Sequence, residues 1–402
     1  MTLVPLETAL ERLLEDARPL SASESVALHE AYGRVLAEPV AALRTQPPFD
    51  ASAMDGYAVR GADAGVAGNR LSVIGEVAAG GTFPGTVGAG ECVRIFTGAP
   101  LPAGADTVVI QEDVTVVSPG MVELREPTRA GRNVRGAGLD FVEGDLLIDK
   151  GQLLGPSSLS LAASANHPRL CVVKRPLVAI IATGDELRAP GSTLGPGQII
   201  SSNAYGVAAL ARAAGAEVLD LGIAPDSRDA IAALVKKAVA AGADVIVTLG
   251  GASVGDHDLV HEVLTGEGMT LDFWKIAMRP GKPLMFGRMG DIRCIGLPGN
   301  PVASLVCSQL FLKPLLARLG GRPFRQDMRT ARLGARMPAN DRRQDYVRAR
   351  IDELDGELVA TPFDLQDSSM LRVLAASGGL IVRAPFAPAS DAGEACQVLM
   401  LG

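Results

Sequence analysis

The chain has no excess of basic charge: 38 lysines and arginines stand against 45 acidic residues, a formal net charge of -7. Nucleic-acid binding needs a basic footprint, so DNA and RNA are not expected as partners. Nowhere do eighteen apolar residues run together, so no membrane span is expected. The five cysteines (Cys92, Cys171, Cys294, Cys307 and Cys396) lie far apart, without the paired spacing of a zinc site or a redox motif. The opening MTLVPLETALERLLEDARPL lacks the basic start and unbroken apolar run of a signal peptide. Its Leu6, Leu10, Leu13 and Leu14 recur at helical spacing among acids, which predicts an amphipathic helix on a cytoplasmic protein.

What is present is ordinary globular material, 48% hydrophobic and 21% charged. At 402 residues it is too long for one core and predicts roughly three or four domains. The clearest organisation lies between residues 176 and 320. LVAIIAT (177 to 183), EVLDLG and VIVTLGG read as short buried strands. SSNAYGVAALARAAG, closed by Gly215, and DSRDAIAALVKKAVAAGA read as helices between them. Such alternation predicts a doubly wound parallel α/β sheet, and sheets of this kind bind ligands at the carboxyl ends of their strands. The segments that leave those ends are TGDEL, APDS, GGASVGDHD, RPGKP and LPGNP, so glycine, carboxylate and cation collect at one rim.

The rest differs in texture. Residues 45–140 are rich in Gly, Val and Thr with short alternating runs and predict a β insertion. Helical patterns on either side, in 1–44 and 141–175, predict one discontinuous helical domain. The α/β domain then spans 176–324. From 325 to 402, DYVRARIDELDGELVATPF predicts hairpin strands around Asp355 and Gly356 in a separate β domain.

In WKIAMRPGKPLMFG, the alternation of Lys275, Ala277 and Arg279 predicts positive charge on one face of an extended segment. Pro280, Gly281 and Pro283 predict a turn that carries Lys282. Pro298 and Pro301 around Gly299 and Asn300 predict a rigid turn before a helix at 302–318, whose N-terminus is suited to an anion. HDLVH (257 to 261) spaces two histidines as zinc proteases do. The expected Glu is replaced by the shorter Asp258, however, the only other histidines are His29 and His167, and a strand leads directly into the pair, so zinc hydrolysis is a weak rival.

Taken together, PPFDASAMDGYAV, IFTGAPLPAGADTVV, TGDEL, GGASVGDHDLV, MRPGKPLMFG and GLPGNPVAS resemble the MoeA family of molybdopterin molybdenumtransferases, to which the gephyrin E domain is related. The resemblance covers nearly the whole chain in the expected order. It implies a molybdopterin-binding α/β domain, a discontinuous helical domain, a β insertion and a C-terminal β-barrel. It also implies an enzyme of molybdenum cofactor biosynthesis that inserts molybdate into adenylylated molybdopterin with release of AMP, assisted by Mg²⁺. The rivals from other classes are a non-catalytic gephyrin-like scaffold and a molybdopterin adenylyltransferase.

Matched residue by residue, the resemblance puts Glu186, Asp226 and Asp258 at the acidic positions, as metal ligands or groups that orient the pterin and its phosphates. Asp256 competes with Asp258, and Asp226 could equally cap the helix that follows it. Gly250, Gly251 and Ser253, with Pro298 and Pro301, belong to the cofactor-binding turns. Lys275 and Arg279 are expected to hold the oxyanion and Lys282 a phosphate, although some relatives have Lys where Arg279 stands. In the N-terminal half Asp55, Thr97, Arg135 and Asp140 fall on site positions, with Leu139 where relatives commonly have Glu. Ser368, or its neighbour Ser369, matches a site position in the tail. The resemblance further implies a homodimer in which the N-terminal residues complete the partner's cleft, and transient contacts with the adenylylating enzyme and with molybdoenzymes.

Overall fold

The computed structural model describes residues 3–250 and 259–401. The chain forms two compact units, Met1–Glu24, Gly33–Val35 and Val172–Gly402 in the first, Ser25–Tyr32 and Leu36–Cys171 in the second.

The first unit begins with helix α1 (Leu6–Leu14) and continues through β1 (Leu177–Thr183), α2 (Asn203–Ala213), β2 (Glu217–Ala224), α3 (Arg228–Ala240) and β3 (Val245–Leu249). It then runs through α4 (Leu259–Gly266), β4 (Thr270–Trp274), β5 (Met285–Met289), β6 (Ile292–Leu297) and α5 (Pro301–Leu319). The six strands form one sheet in the order β2-β1-β3-β6-β5-β4. Four of them, β2, β1, β3 and β6, are parallel as the alternating pattern predicts. The sheet is nevertheless mixed, because β5 runs antiparallel to both β6 and β4. A short hairpin through Gly290 (φ 56°) joins β5 to β6, and a hairpin reverses the chain where a parallel neighbour needs a crossover.

Both faces of the central strands are buried, which explains their unbroken apolar runs. In β1, Val178, Ile180 and Ala182 join the core beneath α1, α2 and α5. The alternate residues Ala179 and Ile181 join a second core with Ile231 and Val235 of α3. Helix α1 contributes Ala9 and Leu13, so the leucine spacing of the opening segment is a core face. Among the described residues α5 is the one helix long and apolar enough to cross a membrane, and 78% of it is buried inside the fold, with Val302, Val306 and Leu310 in the core.

The same unit holds β7 (Met328–Leu333), β8 (Gln344–Leu354), β9 (Glu357–Pro362), β10 (Gly379–Arg383) and β11 (Ala395–Met400), which close into a five-stranded barrel in the order β8-β9-β7-β11-β10. The β8–β9 hairpin turns through Asp355 (φ 52°) and Gly356 (φ 78°), the two positive φ angles that a tight turn with the right twist requires.

In the second unit, Thr107–Ile110, Gly56–Val59, Glu91–Ile95, Arg70–Val77, Met121–Leu124 and Val114–Ser118 form a six-stranded sheet in that order, in agreement with the expected β insertion. Ala58, Val93 and Val108 are buried on one face, and Val59, Cys92 and Val109 on the other. The helix Pro156–Ser164 lies in this unit, whereas α1 lies in the first.

Candidate active site at the carboxyl rim

The strand order places β1 and β3 side by side while their onward connections run to opposite sides of the sheet. This is the switch point at which open α/β sheets bind ligands. Residues after β1 turn at Gly184 (φ 151°), a backbone conformation that favours glycine, and the Glu186 carboxylate rests against its open side. Gly250 ends β3 at φ 92°, and a Cβ on it would lie 2.7 Å from the Thr183 carbonyl oxygen. Gly299, after β6, is packed against Gly250 in turn, and its carbonyl accepts from Asn203 Nδ2 at 2.7 Å. Close approach of strand ends is thus what Gly250 supplies, between the end of β1 and the turn that follows β6.

Two exposed loops of this rim are tied by a reciprocal pair. The Asp185 carboxylate accepts the Asp226 N–H at 3.1 Å, and the Asp226 carboxylate accepts the Asp185 N–H at 3.4 Å. The N-cap of α3 is Ser227, and the Asp226 side chain bonds the TGDEL loop instead of the helix end. Asp185, unremarked in the sequence, therefore belongs to the rim as well. The Thr183 and Thr248 hydroxyls, at the ends of β1 and β3, are buried without a hydrogen-bond partner among the described residues. Nothing in an apolar strand run marks them beforehand.

The turn before α5 follows the expectation. Pro298 is buried, Pro301 occupies the first helical turn and Asn300 is the N-cap. Ser368 caps this helix end: its carbonyl accepts the Val302 N–H at 3.0 Å and its hydroxyl accepts from Asn300 Nδ2 at 2.8 Å. The segment carrying Ser368 is itself held by Arg348 of β8, buried to 1% exposure. Its Nη1 donates to the Asp367 carbonyl at 2.7 Å and its Nε to Gln366 Oε1 at 3.0 Å.

The cation-bearing segment departs from the reading of a uniformly extended strand. Lys275 has φ 81°, and the chain folds back so that the Lys275 N–H meets the Leu284 carbonyl at 3.1 Å and the Ile276 N–H the Lys282 carbonyl at 2.8 Å. Only Met278–Arg279 is strand. The same-face argument for Lys275 and Arg279 therefore fails, because a left-handed residue breaks the period of two. Lys275 Nζ lies 5.8 Å from the centre of the Trp274 ring, and Lys282 is half-buried. Gly281 (φ 113°) packs against Cys307 Sγ of α5, where a side chain would clash.

Arg279 reaches the barrel. Its Nε donates to Asp345 Oδ1 at 2.9 Å and its Nη2 to Asp345 Oδ2, while Nη1 lies 3.5 Å from Asp341 Oδ2. The hydrogen bonds to Asp345, then the charges of Asp345 and Asp341, push the guanidinium further up from its already high pKa. Asp345 and Asp341 were not legible as site residues, since they lie 66 and 62 residues from Arg279. A cleft of about 510 Å³ opens beside this pair, lined by Arg279, Pro280, Asp345 and Arg348 among others.

In the second unit Asp55 and Thr97 meet. The Asp55 carboxylate accepts both the Thr97 N–H and its hydroxyl at 2.8 Å, and these bonds hold Asp55 below the ordinary carboxylate pKa. Arg94 stacks beside them, 5.0 Å from the Tyr57 ring centre and 5.1 Å from that of Phe96. Arg135 pairs with Ala51 on the adjoining two-stranded ribbon. Asp140 is exposed, on a loop anchored by its N–H to the Gln46 carbonyl at 3.0 Å.

Gly251, Ser253, Asp256 and Asp258 lie outside the described residues, as does His257. His261 stacks on Trp274 with ring centres 5.1 Å apart.

Comparison with known proteins agrees along the chain. Residues 4–166 match the MoeA N-terminal region (domain I and II), 179–318 a probable molybdopterin binding domain and 330–401 the MoeA C-terminal region (domain IV). A molybdopterin molybdenumtransferase of Haemophilus influenzae is 38% identical over 79% of this chain and 78% of its own length. Its counterpart in Bacillus subtilis is 34% identical over 100% and 94%. A crystal structure of a molybdopterin biosynthesis MoeA protein from Pyrococcus horikosii is 33% identical, with a TM-score of 0.84 over 99% of both chains. With every region matched in order on a fold of the same architecture, the chain belongs to the MoeA family of molybdopterin molybdenumtransferases.

Proposed function

We propose that the carboxyl rim of the α/β sheet binds adenylylated molybdopterin beside molybdate: two Mo–S bonds form to the pterin dithiolene as one molybdate oxygen leaves with the two thiol protons as water, and one water adds across the phosphoanhydride, giving the pterin monophosphate and AMP. The observation that carries this is the convergence at the switch point. Gly184, Gly250 and Gly299 stand at three neighbouring strand ends, exposed Glu186 and Asp226 stand on neighbouring loops, and two buried threonine hydroxyls there have no hydrogen-bond partner among the described residues. An unpaired buried hydroxyl is costly, and a polar ligand at the rim removes that cost. Lys275 and Lys282 supply the positive charge for the oxyanion and the phosphates, and the glycine-rich turns let the backbone approach them.

Mg²⁺ belongs to the same proposal. No three carboxylate, histidine or cysteine groups among the described residues gather around one point, and Mg²⁺ is held by one or two carboxylates together with water and substrate phosphates, so Glu186 and Asp226 are the described acids that would hold it. Asp185 and Asp226 are moreover turned to each other's backbone. Glu186 orients the pterin and its phosphates, Asp226 holds the TGDEL loop, and the lysines compensate the anions' charge.

The remaining elements of the reading are a four-part division with boundaries near residues 44, 140, 175 and 324, a cytoplasmic location, and a homodimer. In the dimer Asp55, Thr97, Arg135 and Asp140 of the partner complete the cleft. The chain makes transient contacts with the adenylylating enzyme and with molybdoenzymes that receive the product. The test is incubation with adenylylated molybdopterin, Mg²⁺ and molybdate, followed by assay of AMP and of metal-loaded cofactor. Molybdate-dependent appearance of both is the expected result, and absence of AMP release overturns the reading.

A further inference from the structure

We propose that Asp345 of the barrel is a positioning residue for metal insertion: through Arg279 it clamps the Lys275–Lys282 loop, and Arg279 serves as that clamp and not as a ligand of the oxyanion. The inference rests on the proposed function of this loop. Arg279 spends Nε and Nη2 on the two oxygens of Asp345, a fork-to-fork pair; Nη2 also lies 3.4 Å from Asn340 Oδ1, and the remaining nitrogen, Nη1, faces Asp341 Oδ2 at 3.5 Å. Asp345 takes up the charge of Arg279, and Asp341 is shared between Arg279 and Arg343, whose Nη2 lies 3.0 Å from it, so two carboxylates balance two guanidinium groups and Arg279 is compensated within the barrel. Asp345 is 7% exposed, so its carboxylate depends on this partner for compensation.

The backbone carries the same link. Met278 and Arg279 pair in register with Gln344 and Asp345 at the start of β8, and the Gln344 N–H donates to the Ala277 carbonyl at 2.9 Å. Directly after this ladder come Pro280 and Gly281, the latter wedged against Cys307, and then Lys282. The position of Lys282 and, through the Lys275–Leu284 bond, of Lys275 is therefore set from the barrel side. Arg suits the task because its planar fork matches a carboxylate with two parallel bonds, which a lysine cannot reproduce.

The test compares Asp345→Asn, Arg279→Lys, their double variant and the exchanged pair Arg279→Asp/Asp345→Arg. Molybdate is titrated at saturating adenylylated molybdopterin, and pterin binding is followed separately by the fluorescence of Trp274, the sole tryptophan of the chain, adjacent to Lys275. A clamp predicts that Asp345→Asn and Arg279→Lys each raise the half-saturating molybdate concentration by about 10-fold or more, the usual scale for a partner one step behind a ligand. It predicts that the double variant is no worse than either single one, and that the exchanged pair recovers part of the loss. If Arg279→Lys matches the wild type while Arg279→Ala is crippled, Arg279 is a point-charge ligand and the proposal is overturned. If Asp345→Asn lowers the melting temperature and leaves the molybdate dependence unchanged, Asp345 is structural only and the proposal is likewise overturned. Should Asp345→Asn fail to fold, the exposed Arg279→Lys decides alone. A wild-type chain without molybdate-dependent AMP release instead defeats the functional reading on which the clamp rests.

Discussion

At the rim of the first unit, Glu186 is exposed and Asp226 spends its carboxylate on one backbone N–H, so acid groups are displayed to solvent by loops that glycine bends. In the second unit, Asp55 is bound twice by Thr97, and both lie at strand ends of a compact β sheet. The first arrangement leaves a carboxylate available and contributes little to folding. The second consumes its carboxylate in fixing a turn, so Asp55 is both part of the local fold and a candidate for function. Identical residue types on the sequence thus carry different balances of stability and chemistry, and the difference lies in what satisfies their oxygens.

The sharpest way to break this comparison is Glu186→Gln. We expect a loss of about 100-fold or more in metal insertion, the scale of losing one charged transition-state contact. We expect the melting temperature to be unchanged, because an exposed side chain outside the core moves stability by about 0.5 kcal/mol or less. Parallel turnover and thermal-melt measurements check it, and a large fall in stability would remove the distinction drawn between the two regions.

Next in size is complementation. If Asp55 serves the partner's cleft, inactive Asp55→Asn and Glu186→Gln homodimers should regain part of the wild-type turnover when their subunits exchange, since each mixed dimer keeps one intact cleft. Continued inactivity after exchange, verified by differently tagged subunits, places both residues in a cleft built by one chain.

A third prediction tests the backbone of the rim. Gly250→Ala adds a Cβ at φ 92° and 2.7 Å from the Thr183 carbonyl oxygen, so it should cost about 1–3 kcal/mol in denaturant unfolding as well as activity. Gly33→Ala, in a comparable conformation (φ 69°) with open space around it, should cost less.

The smallest effect concerns pH. Bonds from the Arg343 side chain and N–H hold Asp341 down to about 2, against an ordinary 3.8. A carboxylate depressed on folding contributes stability that is fully present above the unfolded value and is lost as pH falls through the folded one. The Asp341 contribution should therefore be constant above about pH 5 and vanish between 3.8 and about 2. It is small because the group is solvent-screened. Asp341→Asn should flatten that part of a melting-temperature profile, and a profile unchanged by the substitution shows that the Arg343 bonds do not stabilise the fold through Asp341.

What the sequence by itself determined is local. The strand Leu177–Thr183, the helix Arg228–Ala240, the Asp355–Gly356 hairpin and the turn from Pro298 to Pro301 were legible because each rests on neighbours along the chain: a period, a cap, a pair of positive φ angles, a proline-fixed φ. The rim was legible too, since parallel strands with crossover helices must bring their carboxyl ends to one edge. Only the tertiary structure decided which side chains meet there. The Asp185–Asp226 exchange joins loops 41 residues apart, and Arg279 finds Asp345 across 66. The left-handed Lys275 and the antiparallel β5 belong with them. Each depends on how distant segments pack. A hydrogen bond or ion pair is chosen by distance in space, and the sequence spaces residues only along the chain.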